Sequence, residues 1–327
     1  MLYLACMYWQ AALLMIGCTS AICAAGSNAP YQRGDDAASN SAASCGSCHI
    51  DVHAEWQDSA HARAFVDPVF QAQLATRAEP EHCVPCHAPG PVLERLGQMP
   101  HARKDHREEG IHCIACHQSG TDIHGPNGSA TSAHTTVKDA AFTRRGSFGL
   151  CRSCHDMKIA DVLPLSREFE KAGLLEQDAS CIGCHMETTY RAPAGIRVDP
   201  ASQTRRGRSH RLLGPGDAEF CSSAFLLRVE WRGNQRVLII ANGAGHGVPG
   251  LARLRSFLLL ATLVDRAGRK LADCSLTISS DDRLLATEER HLPLPMANSA
   301  VSVIVRVEHW FLGKKLATVI DQTLEIP

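Results

Sequence analysis

Residues 45–62 read Cys-Gly-Ser-Cys-His-Ile-Asp-Val-His-Ala-Glu-Trp-Gln-Asp-Ser-Ala-His-Ala. The opening Cys45-x-x-Cys48-His49 sets two thiols three residues apart, with an imidazole directly after the second. Such a pentapeptide can add both thiols to the vinyl groups of a haem while the imidazole takes the iron. The spacing recurs at Cys83, Cys86 and His87, at Cys113, Cys116 and His117, at Cys151, Cys154 and His155, and at Cys181, Cys184 and His185. With 15 Cys and 17 His in 327 residues, chance would supply about 0.04 copies of the pattern. Five copies therefore imply five covalently attached haem c groups with five proximal histidines. Zinc is a poorer reading, because structural zinc sites combine two Cys pairs or a Cys pair with a distant His pair. Here the pairs are odd in number and each carries its own histidine. Disulfides within the pairs fit no better, since two thiols at this spacing seldom bond outside redox sites.

The length suits about two domains. Net charge is −1, from 33 basic and 34 acidic residues, so neither a nucleic acid nor an anionic membrane surface is implied as a partner. Aromatic residues make up only 5% of the chain, a thin supply for a core that bound macrocycles can supplement.

Residues 1–25 carry no charged side chain and have small residues near their end, the pattern of a secretory leader, although no Lys or Arg stands in the first ten positions. Met15-Ile16-Gly17-Cys18 also approaches a lipobox, which makes a lipid anchor at Cys18 the alternative to a soluble mature chain. Either way the protein is expected to be exported, periplasmic or anchored on the outer face of a bacterial membrane. Residues 26–44 are rich in Ser, Asn, Ala, Gly and Asp and read as a linker.

Twelve histidines lie outside the motifs, enough to give each of the five irons a second ligand. Residues 51–65 lack Gly and Pro and place Val52, Trp56 and Ala60 on one face, which predicts a helix. At ~1.5 Å per residue, His61 would stand about 18 Å from His49 along such a helix and so, as a ligand, would serve a different haem. His53, one turn from His49, suits a solvated or propionate-contacting role. His101 and His106 lie in a polar stretch, each either a distal ligand or solvated. His124 sits on a Gly/Pro loop and His134 follows it. No histidine separates His155 from Cys181, so His210 is the first ligand downstream for the fourth or fifth haem. Residues 166–176 read as an amphipathic helix.

Beyond residue 220 the pattern changes to short alternating runs at 225–231, 237–241, 257–264, 271–278 and 301–311, with turns at 232–234 and 265–268. These predict strands in an antiparallel sandwich. The expected fold class is therefore α + β and multidomain: a mostly helical, loop-rich multihaem domain at 45–219, then a β-sandwich-like domain at 220–327. Cys221 and Cys274 either pair or remain buried thiols. His246 lies in Asn242-Gly-Ala-Gly-His-Gly-Val-Pro-Gly250, where glycines allow close approach to a flat ligand, and is a further distal candidate.

The first motif followed by Trp56, Ser59, His61 and Ala62, the Cys83-Val-Pro-Cys-His87 motif and the Gly110-Ile-His-Cys113 entry resemble the tetrahaem cytochromes c-554 of ammonia-oxidising bacteria and their larger multihaem relatives. The resemblance covers roughly residues 44–155. It implies that His61 is an axial ligand of the third haem, that His124 or His134 serves the first, and that the second is five-coordinate. The fifth motif and the β domain depart from the tetrahaem pattern. Histidine on both sides of an iron leaves no open position, so the favoured expectation is an electron carrier between redox protein partners, and oligomers are compatible with it. The alternative is a reductase or oxidase of a small nitrogen or sulfur compound at one open haem.

Overall fold

The computed structural model describes residues 40–130, 133–158, 163–177, 179–194, 204–250 and 254–327. The leader, Cys18 and most of the linker lie outside the described residues. Among the described residues no helix is long and apolar enough to cross a membrane.

The first half is made of short helices and loops. Its helices are α1 (Ala42–Gly46), α2 (Ile50–Gln57), α3 (Pro68–Leu74), α4 (Val84–His87), α5 (Cys113–His117), α6 (Ser147–His155), α7 (Leu165–Lys171) and α8 (Cys181–His185). Between them run the small strands β1 (Gln118–Ser119), β2 (Asp122–Gly125), β3 (Ser129–Ala130) and β4 (Thr135–Lys138), and after α8 the hairpin β5 (Thr188–Arg191) and β6 (Arg205–Arg208). Helix α3 starts where a cap dictates: Asp67 accepts from the amides of Val69 and Phe70 at 2.9 and 3.0 Å, and Pro68 occupies the first turn. Helix α2 ends earlier than its composition suggests. Ser59 Oγ accepts the amide of Ala62 at 3.2 Å, a local alternative to the helical ladder, so His61 rides on a tight turn rather than on a continued helix. Helix α7 likewise stops at Lys171.

The second half begins with α9 (Ala218–Ser222) and contains β7 (Phe225–Arg232), β8 (Gln235–Asn242), β9 (Arg255–Val264), β10 (Lys270–Ser279), β11 (Glu289–Pro293), β12 (Ser302–Phe311) and β13 (Lys314–Glu325). They form two antiparallel sheets, ordered β10-β9-β12-β13 and β11-β8-β7. The register sets Val303, Val305 and Val307 opposite Leu263, Ala261 and Leu259, all at most 1% exposed. These side chains pack against Leu238 and Ile240 of the other sheet, as a sandwich requires. The α + β class and the antiparallel sandwich agree with expectation; β11 and β13 are additions to it.

The two halves differ in what holds them. The β half has a continuous apolar core drawn from both sheets. In the first half the buried apolar cluster among the described residues is Ala42, Trp56 and Ala62. In place of a core lies a continuous cavity of about 1950 Å³, roughly twice the upper end of ordinary small-molecule pockets at about 1,000 Å³.

Candidate haem-binding sites

All five Cys-x-x-Cys-His stretches adopt one helical turn. In the first, the amides of Cys48 and His49 both bond to the carbonyl of Cys45 at 3.2 and 2.9 Å, and the others occupy α4, α5, the end of α6 and α8. A helical turn puts residues i, i+3 and i+4 on one side, so both thiols and the imidazole of each motif face the cavity they line.

Four of the five motif histidines have their tautomer fixed by a backbone carbonyl. Nδ1 of His49 donates to Pro193 O at 2.6 Å, of His87 to Ala64 O at 2.6 Å, of His117 to His124 O at 2.7 Å and of His185 to Leu213 O at 2.6 Å. A carbonyl only accepts, so Nδ1 carries the proton and the lone pair sits on Nε2. That is the donor arrangement a metal-binding imidazole needs.

Opposite four of the five motif histidines stands a second imidazole. Ring centres are 6.2 Å apart for His49 and His134, 6.4 Å for His155 and His61, 6.2 Å for His117 and His210, and 6.2 Å for His185 and His246. Two imidazole–metal bonds of about 2 Å, plus about 1.1 Å from each nitrogen to its ring centre, sum to about 6.2 Å. The spacing thus fits one iron between each pair. Nδ1 of His210 and of His246 donates to Arg208 O at 3.0 Å and Gly247 O at 3.1 Å, leaving Nε2 free on this side too. Burial pushes His61 and His210 down to about 4 and His155 to about 3, which keeps them in the neutral form that binds metal. His87 differs. Phe70 lies flat on it, ring centres 3.6 Å apart and planes 5° from parallel, and no second histidine ring faces it among the described residues.

Thiols of different motifs also meet. Cys45 lies beside Cys113, Cys86 beside Cys154 and Cys151 beside Cys181, while Cys116 lies within electrostatic range of Cys151 and Cys154. The five attachment sites are therefore neighbours in a branched series that centres on the fourth.

The structure redistributes the distal candidates. His61 faces His155 rather than His117, and His210 faces His117 rather than the fourth or fifth motif. His134 takes the place opposite His49. His124 contributes its carbonyl to His117, and its own Nδ1 is held by Asp139 Oδ2 at 2.8 Å. His106 lies beside Glu108 in a left-handed turn with φ 51°, and His101 takes a hydrogen bond from Arg95 at 3.0 Å. His53 packs on Trp56, ring centres 5.5 Å apart. Cys221 and Cys274 are both free thiols; Cys221 donates weakly to Gly214 O at 3.9 Å.

Three supports lie outside the expected ligands. Glu55 accepts from the amide of His210 at 2.7 Å and from Ser209 Oγ at 3.2 Å, and pairs with Arg191. Gly110, at φ 56°, lets the His61 turn approach: a Cβ there would lie 2.3 Å from His61 O. Glu168 on α7 accepts from Arg283 Nη1 and Nη2 at 2.5 and 2.9 Å and from the amide of Gly247 at 2.9 Å. It thereby fastens the loop that bears His246 to the first half.

Residues 44–118 match the family model described as cytochrome c554 and c-prime. A comparison with curated proteins finds no match. Among solved structures the fold is similar to that of a penta-heme cytochrome c552 from Thermochromatium tepidum, with a TM-score of 0.60 and 17% identity, covering 88% of this chain and 98% of that one. Motifs, family match and fold together support a multihaem c-type cytochrome.

Proposed function

We propose that this multihaem c-type cytochrome is an exported carrier of five covalently attached haem c groups that passes electrons between redox protein partners. The haem irons supply the chemistry by cycling between ferric and ferrous. The chain's part is to hold them. Cys45, Cys48, Cys83, Cys86, Cys113, Cys116, Cys151, Cys154, Cys181 and Cys184 attach the macrocycles. His49, His87, His117, His155 and His185 are the proximal ligands, with His134, His210, His61 and His246 opposite the first, third, fourth and fifth.

The observation that carries this reading is the set of four imidazole pairs at 6.2 to 6.4 Å. Two histidines saturate an iron and restrict it to electron transfer. The thiol contacts between motifs keep neighbouring sites within a short reach of one another, which rapid transfer requires. Glu55 and Glu168 hold His210 and the His246 loop, so neither ligand has to be found after the first is bound.

The test is haem c per chain together with spin state. Five covalent haems, four low-spin and one high-spin in the ferric protein, are expected; fewer than five overturns the reading.

His87, which no second histidine ring faces among the described residues and on which Phe70 is stacked, favours a second reading, reduction or oxidation of a small nitrogen or sulfur compound at that iron. Electron paramagnetic resonance separates the two: a high-spin signal that shifts with nitrite or hydroxylamine favours catalysis, and one indifferent to both leaves a carrier.

A further inference from the structure

Arg255 opens β9, and its side chain joins the wall of the cavity that the motifs line. Its Nη1 donates to Nε2 of His309 at 3.1 Å, and its guanidinium carbon lies 4.5 Å from the centre of the Phe311 ring. Among the described residues no carboxylate lies within ion-pair distance of it. His309 cannot neutralise it. That imidazole is 1% exposed and rests on Phe257, ring centres 4.7 Å apart. Because its Nε2 accepts, its proton is on Nδ1 and the ring is neutral. Burial and the adjoining Arg255 hold its pKa down at about 4.

A partly buried guanidinium with one of its donors engaged and no counter-charge is an incomplete site, since buried charges are ordinarily paired. The planar fork of arginine matches a carboxylate. Two groups act on it, Cys221 and then Asp67; burial keeps the Cys221 thiol neutral, and Asp67 is exposed and spends its Oδ1 on the amides of Val69 and Phe70. Helix α3, which Asp67 caps, carries the Phe70 ring that lies on His87. The same Asp67 carboxylate acts on His87, so it links Arg255, across the shared cavity wall, to the second motif, where a macrocycle would bring propionate carboxylates.

We propose that Arg255, positioned by His309 and Phe311, anchors a propionate carboxylate of the haem attached at Cys83 and Cys86. The inference rests on haem attachment at that motif. The β half thereby serves two sites, giving His246 to the fifth motif and a cation to the second. A fixed positive charge beside a haem favours its reduced form, so the anchor raises that haem's reduction potential.

The experiment is a spectroelectrochemical titration of the full haem-loaded chain that follows the high-spin component, with haem content measured on the same sample so that failed attachment shows as missing haem. Arg255→Gln is expected to move the high-spin haem to lower potential and to leave the low-spin haems in place, while Arg255→Lys keeps most of the wild-type value. No shift in Arg255→Gln, or a shift confined to low-spin haems, overturns the proposal. The double variant Arg255→Gln/Asp67→Asn is expected to stay low; a return to the wild-type value makes Asp67 the partner and overturns it. Should Arg255→Gln not accumulate, a crystal structure of the unaltered haem-loaded protein decides: no propionate oxygen within about 3.5 Å of the guanidinium nitrogens overturns the proposal.

Discussion

The imidazole of His61 faces that of His155 at 6.4 Å, although His61 belongs to the sequence element that begins with the first motif. Replacing it is expected to strip a ligand from the fourth haem and no other. His61→Ala should convert one low-spin ferric haem to high spin, and His134→Ala, His210→Ala and His246→Ala should each convert a different one. Spin quantitation by electron paramagnetic resonance checks this through pairs: the double variant His61→Ala/His210→Ala should gain two high-spin haems. A gain of one means that the two histidines share an iron.

Gly110 governs the turn that carries His61. Its φ is 56°, and a Cβ added at this position would stand 2.3 Å from His61 O, which leaves no room for a side chain. Gly110→Ala should lower stability by about 2 kcal/mol and turn part of the fourth haem high-spin. In the background of His61→Ala the spectroscopic effect should vanish, because the ligand it displaces is already gone.

Glu55 holds His210, the second ligand proposed at the third motif, through the His210 amide and Ser209. Glu55→Ala should raise the high-spin fraction at the His117 haem without changing haem content. It also leaves Arg191, 14% exposed at its side chain, short of its partner, so a loss of about 1–3 kcal/mol is expected in urea unfolding.

Glu168 and Arg283 predict a pH dependence. Burial alone would raise the Glu168 pKa, but hydrogen bonds from Arg283 and the Gly247 amide outweigh it and hold it below the usual glutamate value. A carboxylate with a depressed folded pKa stabilises above its unfolded value, about 4.3, and that contribution fades as pH falls through the lower folded value. Stability should therefore drop more steeply in acid for the wild type than for Glu168→Gln. At neutral pH Arg283→Ala should cost about 3 kcal/mol, with the His185 haem the first to lose its second ligand.

The motifs are legible in sequence because a Cys-x-x-Cys-His turn is local: five residues supply attachment and one ligand. The β strands are legible from alternation, as at Val303, Val305 and Val307 facing the core. The partners of the motif histidines are not. A histidine's place opposite an iron depends on how distant loops meet, and neither periodicity nor spacing distinguishes the ring of His134 from that of His124, which gives its carbonyl instead. His210 reads as a ligand for the last two motifs because it follows them, yet the β5–β6 hairpin carries it back to the third. Strand β13 escapes because its exposed residues, among them Lys314, Lys315 and Leu316, blur the two-residue period.

The contrast between the two halves bears on how the protein is born. The β half owns an apolar core and can collapse on its own account. The first half, with Ala42, Trp56 and Ala62 as its buried apolar cluster among the described residues, has little to collapse around until its cofactors are bonded in. The expected consequence is an order of maturation in which a haem-free chain keeps the carboxy-terminal sandwich while the cysteine-bearing half stays open, and limited proteolysis of that chain checks it by leaving a resistant carboxy-terminal fragment.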